Sequence, residues 1–527
     1  MNMKKIFLLI PIAIWIVFMS GPLAKAQGPK NLTILDTLNI GQSLAGVWHY
    51  KHANGAEYAL VGASEGICIV DISNPSDINL LMQFPGVSSI WHEVKVLGDF
   101  AYAVSEGFDT NNILNGLQII DLRYLPDSAP TKFYTGDGVI ANQLFTSHTV
   151  TADGQTVYLN GHNISALGRG VIFLNVSDPW NPVFVGSINN NYCHDSYVRD
   201  NKIYTSDIYN GQFSVYDISS QTSPVLEATQ LTPGLFNHNT WLSDDGQTIF
   251  AADEKAAEPL ASFDISDLGN ISLLDTFFNG NFSANEVHNV RVLNDYLICP
   301  SYGSQLTIVD AYRPGNLVEI ANHATGGYLC WDADPYTTSG NIIATDMTGI
   351  FYVFAPNYQR ACYLEGTVID SVTGISLNGV DVTIQGTGIT TLTNPLGKFH
   401  TGYADAGTYT VTFAKAGYVS QSWNFNLANG VLDTIHVKLV PIGAGIADLA
   451  ASIFTVYPNP ASDKLVVSSS LENGNYLIYD ALSKVVLKGK INKKETVVDI
   501  SFLPGGIYSL VLQNTTEKIA EKTFIKN

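Results

Sequence analysis

The chain has 527 residues, a formal net charge of −20 and a charged fraction of only 14%. It is long enough for several domains, and its many Tyr, Phe, Thr, Val, Ile and Gly residues, without a long amphipathic helical run, predict an all-β protein. No basic cluster offsets the acidic charge, so nucleic acid is not expected as a partner. Such a charge suits a solvated extracellular protein or one that captures cations. Five cysteines without a CxxC pair are too few for a disulfide framework, and a pairing of Cys330 with Cys362 is left open.

The N-terminus has the order of a secretory signal peptide, which we predict for residues 1–26. Two lysines at positions 4 and 5 precede an apolar run over 6–19, and Ala24-Lys25-Ala26 places the cleavage site before Gln27. The alternative is an uncleaved membrane anchor, for which the run is short. No other segment is apolar enough to span a bilayer, so we expect a mature chain without a transmembrane segment that leaves the cytoplasm with a charge of about −23.

A histidine recurs at one position in six successive repeats, and in most of them an acidic residue follows it after about fourteen residues. Successive histidines are 43 to 56 residues apart, the length of one four-stranded propeller blade. The seventh repeat has Trp331 in the histidine position. The pattern predicts a seven-bladed β-propeller over residues 27–360. The histidines are His49, His92, His148, His194, His238 and His288, and the acids are Glu65, Glu106, Asp207, Asp253 and Asp346, with Gly161–His162 and Ser301 in the remaining two repeats.

The N-terminal strand is predicted to close the propeller ring. The last repeat has no fourth strand before the domain ends near Gln359, whereas the first repeat follows a spare apolar segment at 32–40. This segment, LTILDTLNI, resembles the outer strand ISLLDTFFN at 271–279. We therefore expect residues 32–40 to complete blade seven, which removes an exposed sheet edge.

The third strands of the repeats carry a motif of their own, seen as ICIVD at 67–71, LQIID at 117–121 and LTIVD at 306–310. Together with Trp-His-Glu at 91–93, these segments resemble the LVIVD-repeat propellers, which include the proteins called choice-of-anchor B. The resemblance covers roughly residues 30–360. It implies the propeller fold but no particular activity, because that family has no settled activity.

From Tyr363 onward, short segments alternate apolar and polar residues between glycine-rich turns. Gly-Thr-Tyr-Thr-Val-Thr at 407–412 and Gly-Tyr at 417–418 make residues 361–441 resemble the carboxypeptidase regulatory-like, transthyretin-type β-sandwich. The resemblance implies a spacer or a binding accessory. A linker of small residues is predicted to follow at 442–453.

Residues 454–527 are predicted to form a second small β-sandwich. The segments FTVYPNPASDKLVVSS at 454–469, GGIYSLVLQ at 505–513 and the final KTFIKN strongly resemble the type A sorting domain of the type IX secretion system. The resemblance implies passage through the periplasm and the outer-membrane export and attachment machinery as a partner. It also implies removal of the tail, and a product that is released outside the cell or attached to the outer-membrane surface.

The histidine–acid register has two interpretations. In each repeat the histidine begins the inner strand and the acid ends the next, antiparallel strand, so the two are expected to be cross-strand neighbours. In the structural interpretation, which we favour because a feature repeated around a ring is usually architectural, each imidazole bonds to the acid of its own blade and ties down the incoming loop. In the functional interpretation, several imidazoles face the channel mouth and hold a metal ion, with carboxylates behind them.

Breaks in the repeat symmetry indicate where a ligand would bind. His162 replaces an acid in the third repeat, and Arg169 follows it in a long loop. The metal candidates are therefore His148, His162 and His194. Extra carboxylates occur at Glu93, Asp195 and Glu254. Long loops at 107–116 and 161–170 fall on the predicted channel face, where propellers place ligand contacts. All the histidines and acids of the register, with His162 and Arg169, are thus candidate ligand-binding residues.

The sequence favours a secreted or cell-surface protein for binding or adhesion, in which the propeller recognises an extracellular ligand that the sequence does not identify. No cofactor is expected for that function. The alternative is a metal-dependent propeller enzyme, a hydrolase or an oxidoreductase, with a divalent or transition metal at a histidine-lined site on the channel face. Because the sequence has neither an H-E-x-x-H motif nor a P-loop, a non-enzyme is preferred. A purely structural surface-layer role is the third interpretation.

Overall fold

The structure is a computed structural model, and it describes residues 30–278, 286–303, 305–327, 329–442, 454–469, 474–481, 484–491, 494–513 and 518–527. The predicted signal peptide, and the predicted linker apart from Ile442, lie outside the described residues. The chain divides into two compact units, Met1–Arg360 and Ala361–Asn527. The described residues form β-strands, turns and three short 3-10 helices, at Gly138–Ile140, Ser165–Leu167 and Ile208–Asn210. The all-β prediction is confirmed.

Within the described residues, the first unit contains seven antiparallel sheets arranged as propeller blades. Its strands are β1 (Leu32–Asn39), β2 (Leu44–Lys51), β3 (Glu57–Ala63), β4 (Gly66–Asp71), β5 (Asn79–Pro85), β6 (His92–Leu97), β7 (Phe100–Ser105), β8 (Leu117–Asp121), β9 (Thr131–Tyr134), β10 (Thr149–Asp153), β11 (Thr156–Asn160), β12 (Val171–Asn175), β13 (Val183–Ile188), β14 (Asp195–Arg199), β15 (Lys202–Asp207), β16 (Gln212–Asp217), β17 (Val225–Leu231), β18 (Asn237–Leu242), β19 (Thr248–Asp253), β20 (Leu260–Asp264), β21 (Ser272–Phe277), β22 (Glu286–Val287), β23 (Arg291–Leu293), β24 (Tyr296–Tyr302), β25 (Gln305–Asp310), β26 (Val318–Ala324), β27 (Cys330–Asp334), β28 (Ile342–Asp346) and β29 (Ile350–Pro356).

Blades one to five each take four successive strands, starting with β2. Blade six runs from β22 to β26, and its inner strand is in two pieces, β22 and β23, which both pair with β24. Blade seven contains β27, β28 and β29, and its outer strand is β1, which pairs antiparallel with β29 from Leu32↔Pro356 to Asn39↔Ile350. Leu35 and Leu38 of β1 pack against the hydrophobic cluster that blades one and seven share.

Burial and turn chemistry explain why these segments form blades. The second strand of a blade has sheet on both sides, and all seven residues of β3 are buried, whereas the outer strand β17 is mostly exposed. Short turns link the first two strands of most blades, although seven residues separate β27 from β28 in blade seven. In blade four the turn residues Asp200 and Asn201 have φ angles of 53° and 59°, which a short hairpin requires and which Asp and Asn tolerate better than most residues.

Several inner strands are irregular near their first residues, and this positions the side chains that line the channel. In β18 the pairing with β19 passes from Asn237 to Asn239, so His238 is the extra residue of a β-bulge. In β27 the pairing leaves out Trp331 in the same way. In blade six, His288 lies in the gap between β22 and β23. Because a bulge re-aims the extra side chain, these residues do not have the cross-strand neighbour that a regular register predicts.

The second unit contains two β-sandwich regions. Its strands are β30 (Cys362–Asp370), β31 (Asp381–Ile384), β32 (Ile389–Leu392), β33 (Lys398–Tyr403), β34 (Gly407–Ala414), β35 (Tyr418–Val419), β36 (Gln421–Leu427), β37 (Leu432–Pro441), β38 (Phe454–Tyr457), β39 (Lys464–Ser469), β40 (Gly474–Tyr479), β41 (Val485–Ile491), β42 (Glu495–Asp499), β43 (Gly506–Gln513) and β44 (Lys518–Lys526). The first region packs the sheet β33-β30-β37-β35 against β32-β31-β34-β36, and the second contains β38-β39-β42 and β41-β40-β43-β44. All five cysteines of the chain are buried.

Candidate functional site

Four imidazoles lie side by side at the end of the channel where the inner strands begin, which we call the channel mouth. They belong to blades three to six, and we call them the histidine row: His148, His194, His238 and His288. Neighbouring ring centroids in the row are 4.0, 4.1 and 4.2 Å apart. The Trp331 ring of blade seven continues the row, 4.7 Å from His288. These side chains are at most 8% exposed, so the structure brings four of the predicted histidines into one buried group.

A carboxylate faces this row from the loop after β19. Glu254 Oε2 lies 3.7 Å from His238 Nε2, and Glu254 Oε1 lies 3.7 Å from His288 Nε2. Ligand atoms of His194, His238 and Glu254 all lie within 4.8 Å of one another. Burial, and then Glu286, raise the pKa of Glu254 to about 7. The structure thus gathers two imidazoles and a carboxylate, a set of side chains that binds metal ions in many proteins.

Three imidazoles of the row are uncharged at neutral pH. Burial, followed by the neighbouring histidines, holds the pKa of His194 and that of His238 well below the usual value. Burial lowers the pKa of His288 to about 3, although the Trp331 carbonyl acts in the opposite direction. An uncharged imidazole has one ring nitrogen with a free lone pair, which is the form in which histidine binds metals.

Hydrogen bonds at Nδ1 fix the tautomers at the two ends of the row. His288 Nδ1 lies 2.6 Å from the backbone oxygen of Trp331, and because a carbonyl only accepts, Nδ1 donates and Nε2 keeps the lone pair. His148 Nδ1 lies 2.7 Å from Glu106 Oε1, and this hydrogen bond lowers the pKa of Glu106. In both histidines Nε2 is therefore the nitrogen that is left to bind a ligand.

The other side of the mouth carries a carboxylate instead of an imidazole. Glu93 is buried, and its Oε1 accepts a hydrogen bond from Trp331 Nε1 at 3.0 Å. Gly46 of blade one leaves the space that this carboxylate fills, since a Cβ there would lie 2.2 Å from Glu93 Oε2. Burial and Asp332 raise the pKa of Glu93 to about 7, against the effect of Lys95. The cavity at the mouth measures about 10 Å³, which is room for about one water molecule or one cation.

Deeper in the channel lies a layer of charged and aromatic side chains. The buried Arg291 Nη2 lies 3.1 Å from Asp332 Oδ1, and the Arg291 guanidinium lies 4.7 Å from the Trp241 ring centroid. Lys95 Nζ lies 4.3 Å from the Trp48 ring centroid. A cavity of about 130 Å³ adjoins these groups. Paired charges and cation–π contacts between neighbouring blades hold the inner strands together at this level.

Sequence analysis missed this deeper layer. Lys95, Trp241 and Arg291 each lie three residues after the histidine of their own repeat. Side chains two apart on a strand share a face, so the residues one and three places after the histidine both point into the channel. A charged or large aromatic residue at a constant offset inside an otherwise apolar strand is the signal that would have found them.

Two of the predicted mouth histidines have other surroundings. His49 lies inside β2 instead of at its start, and its Nδ1 lies 2.7 Å from Asp334 Oδ2 of blade seven. Burial opposes the charge of His49, but Asp334 outweighs it and raises the pKa of His49. His92 begins β6, but its Nδ1 lies 3.2 Å from the Ser89 oxygen in the incoming loop, and burial lowers its pKa to about 4. One histidine is thus bound to a neighbouring blade and the other to its own loop.

The predicted pairing of each histidine with the acid of its own blade is wrong. Glu106 of blade two bonds to His148 of blade three instead of His92. Asp253 of blade five accepts hydrogen bonds from the backbone N–H groups of Gly234 and Phe236, at 2.7 and 3.1 Å. The bulge at His238 is the physical reason, because it places Asn237 opposite Asp253 and turns the histidine into the channel. The acid still ties the incoming loop to the blade, but it does so through backbone amides.

The other acids of the register also bind groups in their surroundings. Asp207 accepts hydrogen bonds from Asn191 Nδ2 and Ser214 Oγ, Asp346 from the backbone N–H groups of Leu329 and Thr348, and Glu65 from Ser88 Oγ. Burial raises the pKa of Asp207 and that of Asp253, while the hydrogen bonds they accept act in the opposite direction. These carboxylates stabilise loops at the mouth and leave ligand binding to other side chains.

His162 and Arg169 do not extend the histidine row in the structure. His162 is fully buried, and its Nδ1 accepts a hydrogen bond from the backbone N–H of Ile164 at 3.1 Å. Burial, and then Arg169, lower the pKa of His162 to about 4. Of the three predicted metal candidates, the structure therefore brings together His148 and His194, while His162 folds back on its own loop. The side chains that the structure groups with His148 and His194 are those of His238, His288 and Glu254, and not that of His162.

One short motif in blade one has the spacing of a serine nucleophile. Residues 62–66 read Gly-Ala-Ser-Glu-Gly, which matches G-x-S-x-G. In hydrolases this motif lies on a sharp turn from a strand into a helix. Here it lies on the hairpin between β3 and β4, and the Ser64 N–H bonds to the Ser43 oxygen at 2.9 Å. The setting does not support a nucleophilic serine.

Three family models match parts of the chain. The LVIVD repeat matches residues 56–84, the carboxypeptidase regulatory-like domain matches 363–440, and the secretion system C-terminal sorting domain matches 455–526. The three resemblances drawn from the sequence are thereby confirmed. No curated protein matches the chain. Among solved structures, the crystal structure of the WD40 β-propeller domain of Doa1 is similar, with 11% identity, a TM-score of 0.44, and coverage of 62% of this chain and 98% of that chain.

The chain therefore combines an LVIVD-type propeller, a carboxypeptidase regulatory-like domain and a type IX sorting domain. The sorting domain is the part that the type IX export machinery handles, and it indicates a protein at the cell surface or outside the cell. Within the ranges that the structure describes, no helix has the length and apolar character of a membrane span.

Proposed function

We propose that this exported protein binds an extracellular ligand, and thereby mediates adhesion, through the mouth face of its propeller. The observation that supports this proposal is a set of exposed apolar side chains on loops around the channel mouth. They are Trp91, Phe108, Ile113, Val139, Tyr209 and Leu235, with exposed fractions of 37, 56, 69, 72, 74 and 57%. We call them the mouth-face residues. The loops that carry them precede an inner strand or join the second and third strands of a blade.

Exposed apolar side chains grouped on one face are typical of interaction sites. Two of the aromatic rings are supported from below. The Phe108 ring packs edge to face against Phe145 with centroids 5.7 Å apart, and the Tyr209 ring lies 4.9 Å from that of Tyr192. A ring held in place loses less conformational freedom on binding than a mobile one, so these aromatics are suited to anchor a ligand.

Cell attachment tests this proposal. A strain without the gene would be complemented with the parent gene, with a mouth-face variant (Phe108→Ser, Ile113→Ser, Val139→Ser, Tyr209→Ser), or with a control variant on the outer strands (Leu80→Ser, Val183→Ser, Val225→Ser, Leu273→Ser). We expect the parent and the control to restore attachment to polystyrene and cell–cell aggregation, and the mouth-face variant to fail although it reaches the surface. Equal attachment of the mouth-face variant, or no effect of the gene, would contradict the proposal.

A metal-dependent enzyme is the second candidate function. The observation that favours it is the convergence of His194, His238 and Glu254 at the mouth. Two histidines and a glutamate, with a further position open to water, form a ligand set used by zinc hydrolases. Elemental analysis of the purified protein separates this candidate from a metal-free adhesion protein.

A further inference from the structure

The carboxylate of Glu254 lies between two imidazoles, and each of its oxygens faces a different one. Its oxygens are 3.7 Å from His238 Nε2 and 3.7 Å from His288 Nε2. These separations exceed those of a hydrogen bond but leave space for an atom that contacts all three groups. Ligand atoms of His194, His238 and Glu254 lie within 4.8 Å of one another. Donors around a tetrahedral zinc ion, at about 2.0–2.2 Å from the metal, are about 3.3–3.5 Å apart, so small side-chain rotations would bring the group to that geometry.

The imidazoles at the two ends of the row are oriented as metal ligands usually are. A histidine that binds a metal typically donates its other N–H to a carbonyl or a carboxylate, which fixes the tautomer. His288 makes such a bond to the Trp331 carbonyl, at 2.6 Å, and its Nε2 faces Glu254. His148, at the other end of the row, makes one to Glu106 at 2.7 Å. The row therefore has supporting hydrogen bonds of the kind found behind metal ligands.

The centre of the row carries polar atoms that the protein leaves unsatisfied. His194 is 7% exposed and His238 is 5% exposed, and the Nδ1 atoms of both have no hydrogen-bond partner among the described residues. Buried polar atoms are nearly always satisfied, and each exception calls for an explanation. A small cavity beside the row, lined by its four histidines and by Lys95 and Arg291, has room for about one water molecule. His238 faces Glu254 through Nε2, so a cation bound there would use the Nε2 lone pair and not the unsatisfied Nδ1 atom.

We propose that His194, His238 and Glu254 bind one divalent transition-metal ion at the channel mouth, with His288 as a fourth donor. Two or three imidazole nitrogens and one carboxylate oxygen are a borderline-soft ligand set, which favours zinc and its transition-metal neighbours over magnesium or calcium. The formal charge of −20 favours the approach of a cation. This inference deepens the second candidate function, which uses the same residues, but metal binding is measured without a substrate or an adhesion ligand, so its test can fail or succeed separately from either function.

Metal titration of the full mature chain, purified without a histidine tag, tests this site. The metal-stripped protein would be titrated with Zn²⁺ by calorimetry and with Co²⁺ by visible absorption, which reports the coordination geometry. We expect one ion per chain and Co²⁺ bands of a four- or five-coordinate site. Glu254→Gln removes the negative charge of the carboxylate ligand and His238→Asn removes the imidazole nitrogen, so we expect each to weaken binding at least about 100-fold, since even the loss of a supporting group costs about 10–100-fold.

Two matched substitutions serve as controls. Glu258→Gln changes a carboxylate four residues away in the same loop, and His162→Gln changes a buried imidazole outside the row. Both are expected to leave the metal affinity within about twofold of the parent, because neither residue contributes to the ligand set. If His238→Asn does not fold, Glu254→Gln decides alone. Any of three results would overturn the proposal. The parent could bind the metal no more tightly than Glu254→Gln, the control variants could lose as much affinity as the ligand variants, or the parent could bind several ions per chain only weakly.

Discussion

The two sides of the channel mouth differ in the partners that their buried polar side chains have. On the side of blades seven, one and two, two buried carboxylates are each paired, Glu93 with Trp331 and Asp334 with His49, although His92 Nε2 is unsatisfied there. On the side of blades three to six, uncharged imidazoles stack on one another, and His194 and His238 keep unsatisfied nitrogens. The same repeat position therefore supports the scaffold on one side, and on the other we propose that it forms a site.

The two sides also differ in charge, because the paired side buries carboxylates whereas the other side buries uncharged imidazoles. A buried charge is costly without a partner, so the paired side would lose stability when one partner is removed. A stacked neutral imidazole carries no charge that needs an ion partner, so its replacement should cost less and should mainly change what the mouth binds. The predictions that follow test this contrast, beginning with the largest effect.

Deleting β1 would open the paired side by removing the outer strand of blade seven. The strand pairs with β29 along its whole length, and Leu35 and Leu38 pack into the cluster that blades one and seven share. We expect a loss of about 5 kcal/mol or more in the free energy of unfolding, measured by urea denaturation with tryptophan fluorescence. Deleting β44 should leave the propeller transition unchanged. An unaltered transition without β1 would mean that the strand does not hold the ring closed.

Replacing Glu93 by Gln should stabilise the paired side at high pH. Because burial and the neighbouring Asp332 and Asp195, opposed by Lys95, raise the pKa of Glu93 from 4.5 to about 7, the folded state holds a proton that the unfolded state has lost in that range. Stability should therefore fall as the pH rises from about 4.5 to 7, by about 3 kcal/mol for this group, and Glu93→Gln should abolish that fall. Urea denaturation of both proteins between pH 4 and 8 measures the difference.

Glu57 provides the control of opposite sign for this experiment. It is also buried, but hydrogen bonds from Thr338 and Ser339 outweigh burial and lower its pKa. A lowered pKa contributes stability above the unfolded-state pKa, and this is lost as the pH falls. Glu57→Gln should therefore destabilise the protein most at high pH. The same pH dependence in Glu57→Gln and Glu93→Gln would contradict the account of the paired side.

His49→Ala tests the dependence of a buried charge on its histidine. The side chain of Asp334 is fully buried, whereas that of His49 is 24% exposed. Removing the imidazole leaves Asp334 with backbone donors only, so we expect a loss of about 2 kcal/mol in the free energy of unfolding. The control is His323, whose Nδ1 contacts the backbone oxygen of Ala324, and His323→Ala should change stability by less than about 0.5 kcal/mol. Equal effects of the two substitutions would show that the His49–Asp334 contact is not stabilising.

His162→Gln should have the smallest effect on stability. The substitution disturbs one hydrogen bond, from the Ile164 backbone to Nδ1, so we expect a loss of about 1 kcal/mol in the free energy of unfolding. Chemical denaturation of parent and variant measures this loss. A loss above about 3 kcal/mol would mean that His162 has a structural role comparable to the paired charges, and the contrast between the two sides would weaken.

The repeat architecture could be predicted from the sequence because it depends on local signals. Successive histidines at blade-length spacing mark the inner strands, and short turns such as Asp200-Asn201 mark the hairpins. The resemblances to the LVIVD repeat and the sorting domain depend on short segments that are contiguous in the chain. Each of these patterns can be recognised without knowing which distant residues are in contact.

The site could not be predicted as well because it depends on single-residue irregularities. Asp253 and Glu254 are adjacent in the sequence, yet the first binds the incoming loop and the second faces the histidine row. The bulge that re-aims His238 inserts one residue, and an alternating pattern does not reveal where that happens. His162 was predicted to join the row from its sequence position, but the conformation of its loop places it against Ile164.

The central claim is that the histidine row is a metal-binding site and not only part of the scaffold. Anomalous X-ray diffraction tests this claim most directly. Crystals of the mature protein grown with one equivalent of Zn²⁺ would be measured on both sides of the zinc absorption edge. We expect one strong anomalous peak within bonding distance of His194, His238 and Glu254, and no such peak in crystals of Glu254→Gln. A map without a peak at the mouth, or with peaks only at surface carboxylates, would contradict the account.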